Sequence, residues 1–438
     1  MKLEKMALKN YRCFENLEIS FHNRLTVIVG SNGSGKTSVL EGATVALGTF
    51  FSELEGIKDI SISRKDVRLV AYSMGETDDV QPQYPVEVDA GGEMDGKQIP
   101  WKRTLNGDEG RTTKKEALEM TAISAAYQKR LREGDKTLIL PFISYYGTGR
   151  LWDYHREKKS DTFKNNTKTN GYLDSLSGTA NIKLMMNWFR KKTVQAAQNG
   201  SQGGRSAELS VVYGAMEECY KLVTGFQDVK IQYNLDSNEL NCSYRDERDN
   251  TMTIPLSQLS DGYKGTISLI ADIAYRMAVL NPQLGSDVIK QTDGVVLIDE
   301  VDLHLHPTWQ HRILSDLQNI FPKIQFIVTT HAPAVISSAK SENLVILNHN
   351  EATDAVTESF GNDANSILRD IMGTSERNPT IAKLFRNFYE LLEAKNFDEA
   401  ERILDEIDEQ RDYHDTEVAG CRVKLRLERI RRGQNDRS

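Results

Sequence analysis

The sequence predicts an α/β fold in which helices flank a mixed central β-sheet. Residues 25–29, Leu-Thr-Val-Ile-Val, and residues 294–298, Gly-Val-Val-Leu-Ile, are nearly continuous apolar runs. Such runs are typical of central strands that are buried on both faces. A glycine-rich turn follows the first run, and residues 38–47 then carry apolar side chains at helical spacing. This order of strand, turn and helix is typical of parallel α/β sheets.

A helical insertion and a C-terminal helical extension are predicted from segments with apolar residues at steps of three and four. Residues 84–105 alternate apolar and polar side chains instead, which predicts antiparallel hairpins. The predicted helices are 113–133, 182–198, 207–226, 381–394, 397–410 and 417–432, with a polar, glycine-rich loop at 198–205.

The length of 438 residues is more than one hydrophobic core normally holds, so several structural units are expected. The four predicted parts are the N-terminal half of the α/β domain at 1–110, a mainly helical insertion at 111–256, the C-terminal half at 257–355, and the helical extension at 356–438.

The composition excludes several classes of protein. A net charge of −8 argues against a surface that binds nucleic acid indiscriminately, and the arginines near the C-terminus fit a solvated helix end better than a DNA contact. The four cysteines form no CxxC pair, which argues against disulfides and zinc. No apolar run approaches the roughly 20 residues that span a bilayer, and no secretory signal is visible. We therefore expect a cytoplasmic protein.

Residues 30–37, Gly-Ser-Asn-Gly-Ser-Gly-Lys-Thr, fit the phosphate-binding pattern G-x-x-x-x-G-K-[ST] between a buried strand and a helix. The glycines allow backbone N–H groups to surround phosphates. We expect Lys36 to reach the β- and γ-phosphates of ATP and the Thr37 hydroxyl to bind Mg²⁺. The predicted ATP-binding residues of this segment are Asn32, Gly33, Gly35, Lys36, Thr37 and Ser38.

Two carboxylates end the second apolar run. Asp299 is expected to hold Mg²⁺ through water, and Glu300 to orient and deprotonate the water that attacks the γ-phosphate. A pair of solvated charges at a strand end is the alternative. The presence of the phosphate-binding segment in the same chain favours the catalytic interpretation.

A third motif, Leu-Ser-Asp-Gly-Tyr-Lys at 259–264, precedes an apolar helix at 266–280. A serine and a glycine at a helix N-terminus form an anion site, although Ser260 could simply cap its own helix. The motif resembles the ABC signature sequence, from which Asp261 and Tyr263 depart. That resemblance implies that Ser260 and Gly262 bind the γ-phosphate held by an opposite subunit.

The same resemblance implies roles for two further residues. His331 follows a strand and resembles the switch histidine that senses the γ-phosphate, so we count it with Glu300 and Lys36 as catalytic. Arg12 matches a basic position that approaches the phosphates in recombination-type heads. The family's glutamine loop is not visible, because Tyr-Tyr-Gly-Thr-Gly-Arg at 145–150 contains no glutamine. His304 and His306 fit an interface role better than a metal site.

The chain as a whole resembles ABC-type ATPases of the SMC and RecF kind over 1–55 and 257–350. Its insertion, tail and His-Leu-His-Pro stretch resemble the PtuA ATPase subunits of Septu-type antiphage systems, which also occur with retrons. This resemblance implies ATP and Mg²⁺ as cofactors, an ATP-sandwiched pair of heads with possible larger homo-oligomers, and a separate PtuB-like HNH nuclease acting on DNA. The chain itself shows no nuclease centre and no membrane partner.

Two alternative functions remain open at this stage. One is a RecF- or SMC-like DNA-repair ATPase without a nuclease partner. The other is a nucleotide-gated assembly scaffold in which binding of ATP matters and hydrolysis is incidental.

Overall fold

The structure is a computed structural model that describes residues 1–438 except 75–76, 152–166, 179–181, 200–205, 246–248, 349, 356, 375–376, 411–415 and 436–438. Most of the loop predicted at 198–205 lies outside the described residues. The described chain forms two compact units, residues 1–364 and residues 365–438.

The strands, in chain order, are β1 (Lys2–Tyr11), β2 (Phe14–Ser20), β3 (Leu25–Gly30), β4 (Leu69–Met74), β5 (Thr77–Pro82), β6 (Val86–Met94), β7 (Lys97–Leu105), β8 (Phe142–Tyr146), β9 (Gln227–Asn234), β10 (Glu239–Arg245), β11 (Thr251–Pro255), β12 (Gly294–Ile298), β13 (Ile324–Thr330), β14 (Leu344–Asn348) and β15 (Glu351–Asp354).

The helices are α1 (Lys36–Gly48), α2 (Leu118–Arg132), α3 (Ile182–Gln198), α4 (Ala207–Thr224), α5 (Asp261–Leu280), α6 (Val288–Gln291), α7 (Pro307–Gln310), α8 (Ile313–Ile320), α9 (Pro333–Ile336), α10 (Ala364–Ser366), α11 (Pro379–Glu393), α12 (Phe397–Glu409) and α13 (Thr416–Asn435).

The central sheet has six strands in the order β15-β14-β3-β13-β12-β8. Strands β14, β3, β13, β12 and β8 run parallel, and β15 pairs antiparallel with β14 at one edge. Every residue of β3, β12 and β13 is buried, as expected for parallel strands covered on both faces. This mixed sheet with flanking helices confirms the predicted fold class.

A second, antiparallel sheet in the order β2-β1-β6-β7 packs beside α1. The hairpin of β6 and β7 is the one predicted from the alternating pattern at 84–105. The indole of Trp101 on β7 is buried and donates a hydrogen bond to the carbonyl of Ala46 on α1 at 2.9 Å. Because α1 begins at the phosphate-binding segment, this contact helps to anchor that segment.

The insertion predicted at 111–256 contains strands as well as helices. Strand β8 is a member of the central sheet, paired in parallel with β12, and β9, β10 and β11 form a separate three-stranded sheet. The run Phe-Ile-Ser-Tyr-Tyr of β8 is fully buried, and alternate residues of β9 are buried. A continuous apolar run is typical of a fully buried strand, and alternation is typical of a half-buried strand. The sequence analysis did not apply either pattern at these positions.

Several helix boundaries differ from the predicted ones, and the local structure accounts for two of these differences. The helix predicted at 113–133 begins only at Leu118, because Thr113 forms an isolated bridge with Thr104 at the end of β7. The helix predicted at 207–226 ends at Thr224, where Gly225 adopts a left-handed conformation with φ of 74°. Glycine is the usual residue at that position after a helix.

Helix α5 is held by a buried ion pair. Asp272 accepts a hydrogen bond from Arg276 at 2.7 Å and another from the Tyr146 hydroxyl at 2.8 Å. Arg276 also donates to the carbonyls of Gly171 and Leu173 at 3.0 and 2.7 Å. Both charged side chains are almost fully buried, so the network is stable only because each partner compensates the other.

The second unit is built from α11, α12 and α13 around its own apolar core. Two arginines of the basic α13 face the acidic α12: Arg422 pairs with Asp405 and Asp408, and Arg429 pairs with Asp398. These pairs support the solvated-helix interpretation of the basic segment. Among the described residues, no helix combines the length and the apolar character that crossing a membrane requires.

Replacing Asp272 with alanine should leave Arg276 buried without its partner, and we expect a loss of about 3–5 kcal/mol in the free energy of unfolding. Urea unfolding of the nucleotide-free chain measures this loss. Glu133→Ala is the matched control, because Glu133 pairs with Lys129 in an exposed i,i+4 contact and should cost less than about 0.5 kcal/mol. Equal effects of the two changes would contradict the role given to the buried pair.

Candidate nucleotide-binding site

The phosphate-binding segment connects β3 to α1 through two glycines with left-handed backbone. Gly33 has φ of 82° and Gly35 has φ of 94°. A Cβ atom on Gly35 would lie 2.4 Å from the Phe14 ring and 2.7 Å from the Cys13 sulfur. Gly35 therefore satisfies both a conformational and a steric requirement that other residues would not.

Lys36 folds back over this segment. Its Nζ donates hydrogen bonds to the carbonyls of Gly30 and Ser31 at 3.0 and 2.9 Å. Burial lowers the pKa of Lys36, while the charges of Asp299, Glu300 and Asp302 act in the opposite direction. The lysine is thus close to the carboxylates that follow β12.

The segment also holds a buried hydroxyl without a partner. Ser34 Oγ is buried and makes no hydrogen bond within the described structure. A buried polar atom normally has a partner, so this hydroxyl fits a site for a phosphate oxygen. The glycine-rich backbone and the N-terminus of α1 around this hydroxyl also favour binding of an anion.

Asp299 lies at the end of β12 and is 2% exposed. Its carboxylate accepts a hydrogen bond from the Thr37 hydroxyl at 2.8 Å and another from the Thr329 hydroxyl at 2.6 Å. Thr37 and Asp299 were the two residues predicted to hold Mg²⁺, and the structure brings their oxygens together. Hydroxyl and carboxylate oxygens are ligands that Mg²⁺ prefers, so this donor set fits the ion.

Glu300 follows in an unusual backbone conformation, with φ of 47°. Its N–H donates to the Thr329 hydroxyl at 2.8 Å, and its carbonyl accepts a hydrogen bond from Arg150 Nη2 at 2.8 Å. Arg150 Nη1 also donates to the Asp299 carbonyl at 2.6 Å. Both peptide groups of this turn are therefore held by side chains from neighbouring strands or their loops.

His331 follows β13, which lies between β3 and β12 in the sheet. Burial and the charge of Lys36 lower the pKa of His331, and Glu300, Asp302 and Asp299 oppose that shift. The ring therefore lies in the same electrostatic environment as the lysine and both strand-end carboxylates. It favours the neutral form near pH 7.

Ser260 and Gly262 lie at the start of α5. Ser260 occupies the N-cap position, yet its hydroxyl makes no capping hydrogen bond. Gly262 packs against the loop after β12, since a Cβ atom there would lie 2.6 Å from the His304 carbonyl oxygen. Within the described residues, no hydrogen bond or ion pair joins Ser260 or Gly262 to residues 30–37.

The other predicted nucleotide-binding residues, Arg12, Asn32 and Ser38, differ in their contacts and in their exposure. The Arg12 guanidinium donates to Asp66 at 2.8 and 2.9 Å and pairs with Glu41. Asn32 is exposed at the tip of the segment, and Ser38 is half-buried in the first turn of α1. Arg12 would have to exchange a carboxylate for a phosphate in order to bind the nucleotide directly.

The histidines of the His-Leu-His-Pro stretch have separate local roles. His306 caps the short helix α7 by accepting a hydrogen bond from the Thr308 N–H. Trp309 of α7 packs on Tyr263 of α5 with ring centroids 4.4 Å apart. This loop therefore joins the end of β12 to the start of α5. Groups of three or more His, Cys, Asp or Glu side chains suited to a metal ion are absent from the described part of the chain.

Two residues of this site were missed by the sequence analysis. Thr329 was given no role, and Arg150 was considered only as the end of a segment that lacks glutamine. The signal for Thr329 was a hydroxyl near the end of a mostly apolar run, two residues before His331. For Arg150 it was a cation four residues after the buried strand β8.

Parts of the chain are similar to known proteins. A family model described as "AAA domain" matches residues 5–210, and one described as "AAA domain, putative AbiEii toxin, Type IV TA system" matches residues 141–337. The retron Vc95 probable ATPase of Vibrio cholerae is 27% identical over 86% of this chain and 80% of its own length. The Septu protein PtuA of Bacillus mycoides is 38% identical over 31% of this chain and 19% of its own length.

Among solved structures, the SMC head domain from Thermotoga maritima covers 82% of this chain and 100% of that domain, with 18% identity and a TM-score of 0.44. The two family models overlap and together span residues 5–337, and both describe an AAA domain. The chain is similar in sequence to the retron ATPases and, over a shorter segment, to PtuA.

Acidification should destabilise the nucleotide-free chain partly through His331. Because its pKa is lowered in the folded state, the unfolded chain takes up the proton first as the pH falls below about 6.5. Stability is therefore lost in that window, and His331→Gln should lose less of its Tm than the wild type between about pH 7.5 and 5.5. His22→Gln, at an exposed histidine, serves as control. An equal loss in all three proteins would contradict the assigned environment of His331.

Proposed function

We propose that this chain binds and hydrolyses ATP between two copies of itself, and that this association regulates a partner HNH nuclease acting on DNA in an antiphage defence complex. The observation that supports the proposal is the meeting of Lys36, Thr37, Asp299 and His331 at one sheet edge, while no hydrogen bond or ion pair among the described residues joins Ser260 to residues 30–37. We interpret this edge as one face of a nucleotide site, and we expect Ser260 of a second copy to complete the other face.

The chemistry of hydrolysis rests on residues that the fold already orients. Lys36 and the backbone of 30–37 would bind the phosphates, and Thr37 and Asp299 would hold Mg²⁺, which neutralises phosphate charge when bound. Glu300 would accept a proton from the attacking water. His331, neutral near pH 7, would donate a hydrogen bond to the γ-phosphate.

The second copy would supply Ser260 and Gly262. The Ser260 hydroxyl is not used to cap its own helix, and the N-terminus of α5 carries the positive end of a 20-residue helix. Both properties suit an anion. In a symmetric pair, each nucleotide would lie between the phosphate-binding segment of one copy and α5 of the other.

Mixing two inactive variants tests this arrangement directly. Lys36→Ala and Ser260→Ala should each abolish most hydrolysis, but a mixed pair contains one intact site, formed by Lys36 from one copy and Ser260 from the other. Random mixing should restore about a quarter of the wild-type ATPase rate. The rate is measured by phosphate release after the copies have been allowed to exchange. A mixture that gives only the average of its two components would show that the site is not shared.

The defence assignment is supported by the relatives. The retron Vc95 probable ATPase matches 86% of this chain at 27% identity, and PtuA of Bacillus mycoides matches 31% of it at 38% identity. A RecF- or SMC-like repair ATPase is the alternative that shares this fold. The two differ in whether a separate nuclease depends on the ATP state of this chain.

The Glu300→Gln variant tests whether hydrolysis is needed, as in the proposed function, or is incidental, as in a nucleotide-gated scaffold. The variant should bind ATP and stay associated but hydrolyse it about a thousandfold more slowly, because the carboxylate that accepts the proton is gone. DNA cleavage by the purified complex with an HNH subunit is then compared between wild type and variant. If the complex with the Glu300→Gln variant cleaves DNA at a different rate from the wild-type complex, hydrolysis regulates the nuclease. If the two cleavage rates are equal, ATP binding alone gates it.

A stable chain that never associates with an HNH subunit, with or without ATP, would favour the repair alternative. The control for this comparison is the Lys36→Ala variant, which should not bind ATP. It sets the level of association and cleavage that the complex shows without nucleotide.

A further inference from the structure

Arg150 is a buried cation that the mechanism above does not use. It lies four residues after β8 and is 7% exposed. A guanidinium is costly to bury unless its donors are satisfied. Here they are directed at backbone carbonyls, namely those of Gly147, Asp299 and Glu300, at 3.1, 2.6 and 2.8 Å.

The turn that Arg150 holds contains a strained residue. Glu300 is neither glycine nor asparagine, yet its φ is 47°. A left-handed conformation is unfavourable for such a residue and persists only when its surroundings enforce it. The Thr329 hydroxyl holds the N–H of Glu300 and Arg150 holds its carbonyl. The direction of the Glu300 side chain therefore depends on both contacts.

We propose that Arg150 is a positioning residue for ATP hydrolysis. It fixes the peptide groups of Asp299 and Glu300 so that the Glu300 carboxylate is aimed at the attacking water. Arg150 acts through Glu300 and not on the nucleotide. This inference rests on the proposed role of Glu300 as the base.

The shape of the arginine side chain suits this function and that of lysine does not. A planar guanidinium presents several N–H donors in a fixed fork, so one group can hold two successive carbonyls. An ammonium on a flexible chain keeps the charge but not the fork. Arg150→Lys therefore removes the geometry while it retains the positive charge among Asp299, Glu300 and Asp302.

The space beside Arg150 offers a second test. A cavity of about 320 Å³ is bordered by Arg150 together with Met185, Leu256 and Ile267. A small guanidinium ion could enter this cavity and occupy the place of the missing side chain in an alanine variant. If such an ion restores activity, the guanidinium group itself is needed for hydrolysis.

The experiment measures kcat, KM for ATP and nucleotide affinity for Arg150→Lys and Arg150→Ala, each in the wild-type and the Glu300→Gln backgrounds. We expect kcat to fall about a hundredfold in the wild-type background, as for a misplaced catalytic group. KM and nucleotide affinity should stay within about threefold. In the Glu300→Gln background neither change should slow the residual rate further, because residues that act as one unit are not additive. Methylguanidinium should raise kcat of Arg150→Ala.

Three results would overturn the proposal. The first is a wild-type rate in Arg150→Lys. The second is an equal proportional loss in both backgrounds, which indicates a general structural role. The third is a loss of ATP affinity that accounts for the loss of rate. If Arg150→Ala does not fold, Arg150→Lys still decides. A wild-type rate in Glu300→Gln alone would instead refute the proposed function, so the two failures are distinguishable.

Discussion

The buried carboxylate of Asp299 is the constraint on which the candidate site depends. At 2% exposure it requires donors or cations close by, and the fold supplies the hydroxyls of Thr37 and Thr329 at 2.8 and 2.6 Å. One hydroxyl comes from the helix after β3 and the other from β13. Satisfying this single carboxylate therefore fixes three segments of the central sheet relative to each other. Lys36 is drawn into the same environment, where burial lowers its pKa and the carboxylates raise it.

The register of the parallel strands makes that convergence possible. Thr330 pairs with Val29, and Ile298 pairs with both Val328 and Tyr146. The carboxyl ends of β3, β13, β12 and β8 thus lie at one edge of the sheet, and their levels differ by at most three residues. Ligand sites in open α/β sheets form at such edges. The four loops that follow these strands carry the phosphate-binding segment, His331, the Asp299–Glu300 turn and Arg150.

Much of this arrangement could be predicted from the sequence, because the responsible patterns are local. The run at 25–29, the glycines after it and the run at 294–298 each indicate a strand or turn without knowledge of distant residues. The predicted Mg²⁺ residues Thr37 and Asp299 are 262 positions apart and are in direct contact. The helix at 182–198 has the predicted bounds.

The rest depended on pairing that no local pattern specifies. Strand β8 lies within a segment flanked by helices, and its place beside β12 follows only from the sheet order. The hydrogen bonds of Thr329 and Arg150 to the Asp299–Glu300 turn likewise require three strands to be assembled first. The strained φ of Glu300 is a consequence of that assembly. From its residue type alone, glutamate would be expected to have a negative φ.

The same assembly links the candidate signature helix to the catalytic turn at two points. Tyr146 accepts a hydrogen bond from the Asp299 N–H through its carbonyl and donates one to Asp272 on α5 through its hydroxyl. The second contact is at the N-terminus of α5, about three turns before Asp272. There Gly262 lies so close to the His304 carbonyl that a side chain at position 262 would not fit. A displacement of α5 by a nucleotide in a second copy would therefore act on both sides of Glu300. Because coupling between sites needs a continuous physical connection or a shared two-state element, these contacts provide a route by which occupancy of one nucleotide site could influence hydrolysis at the other.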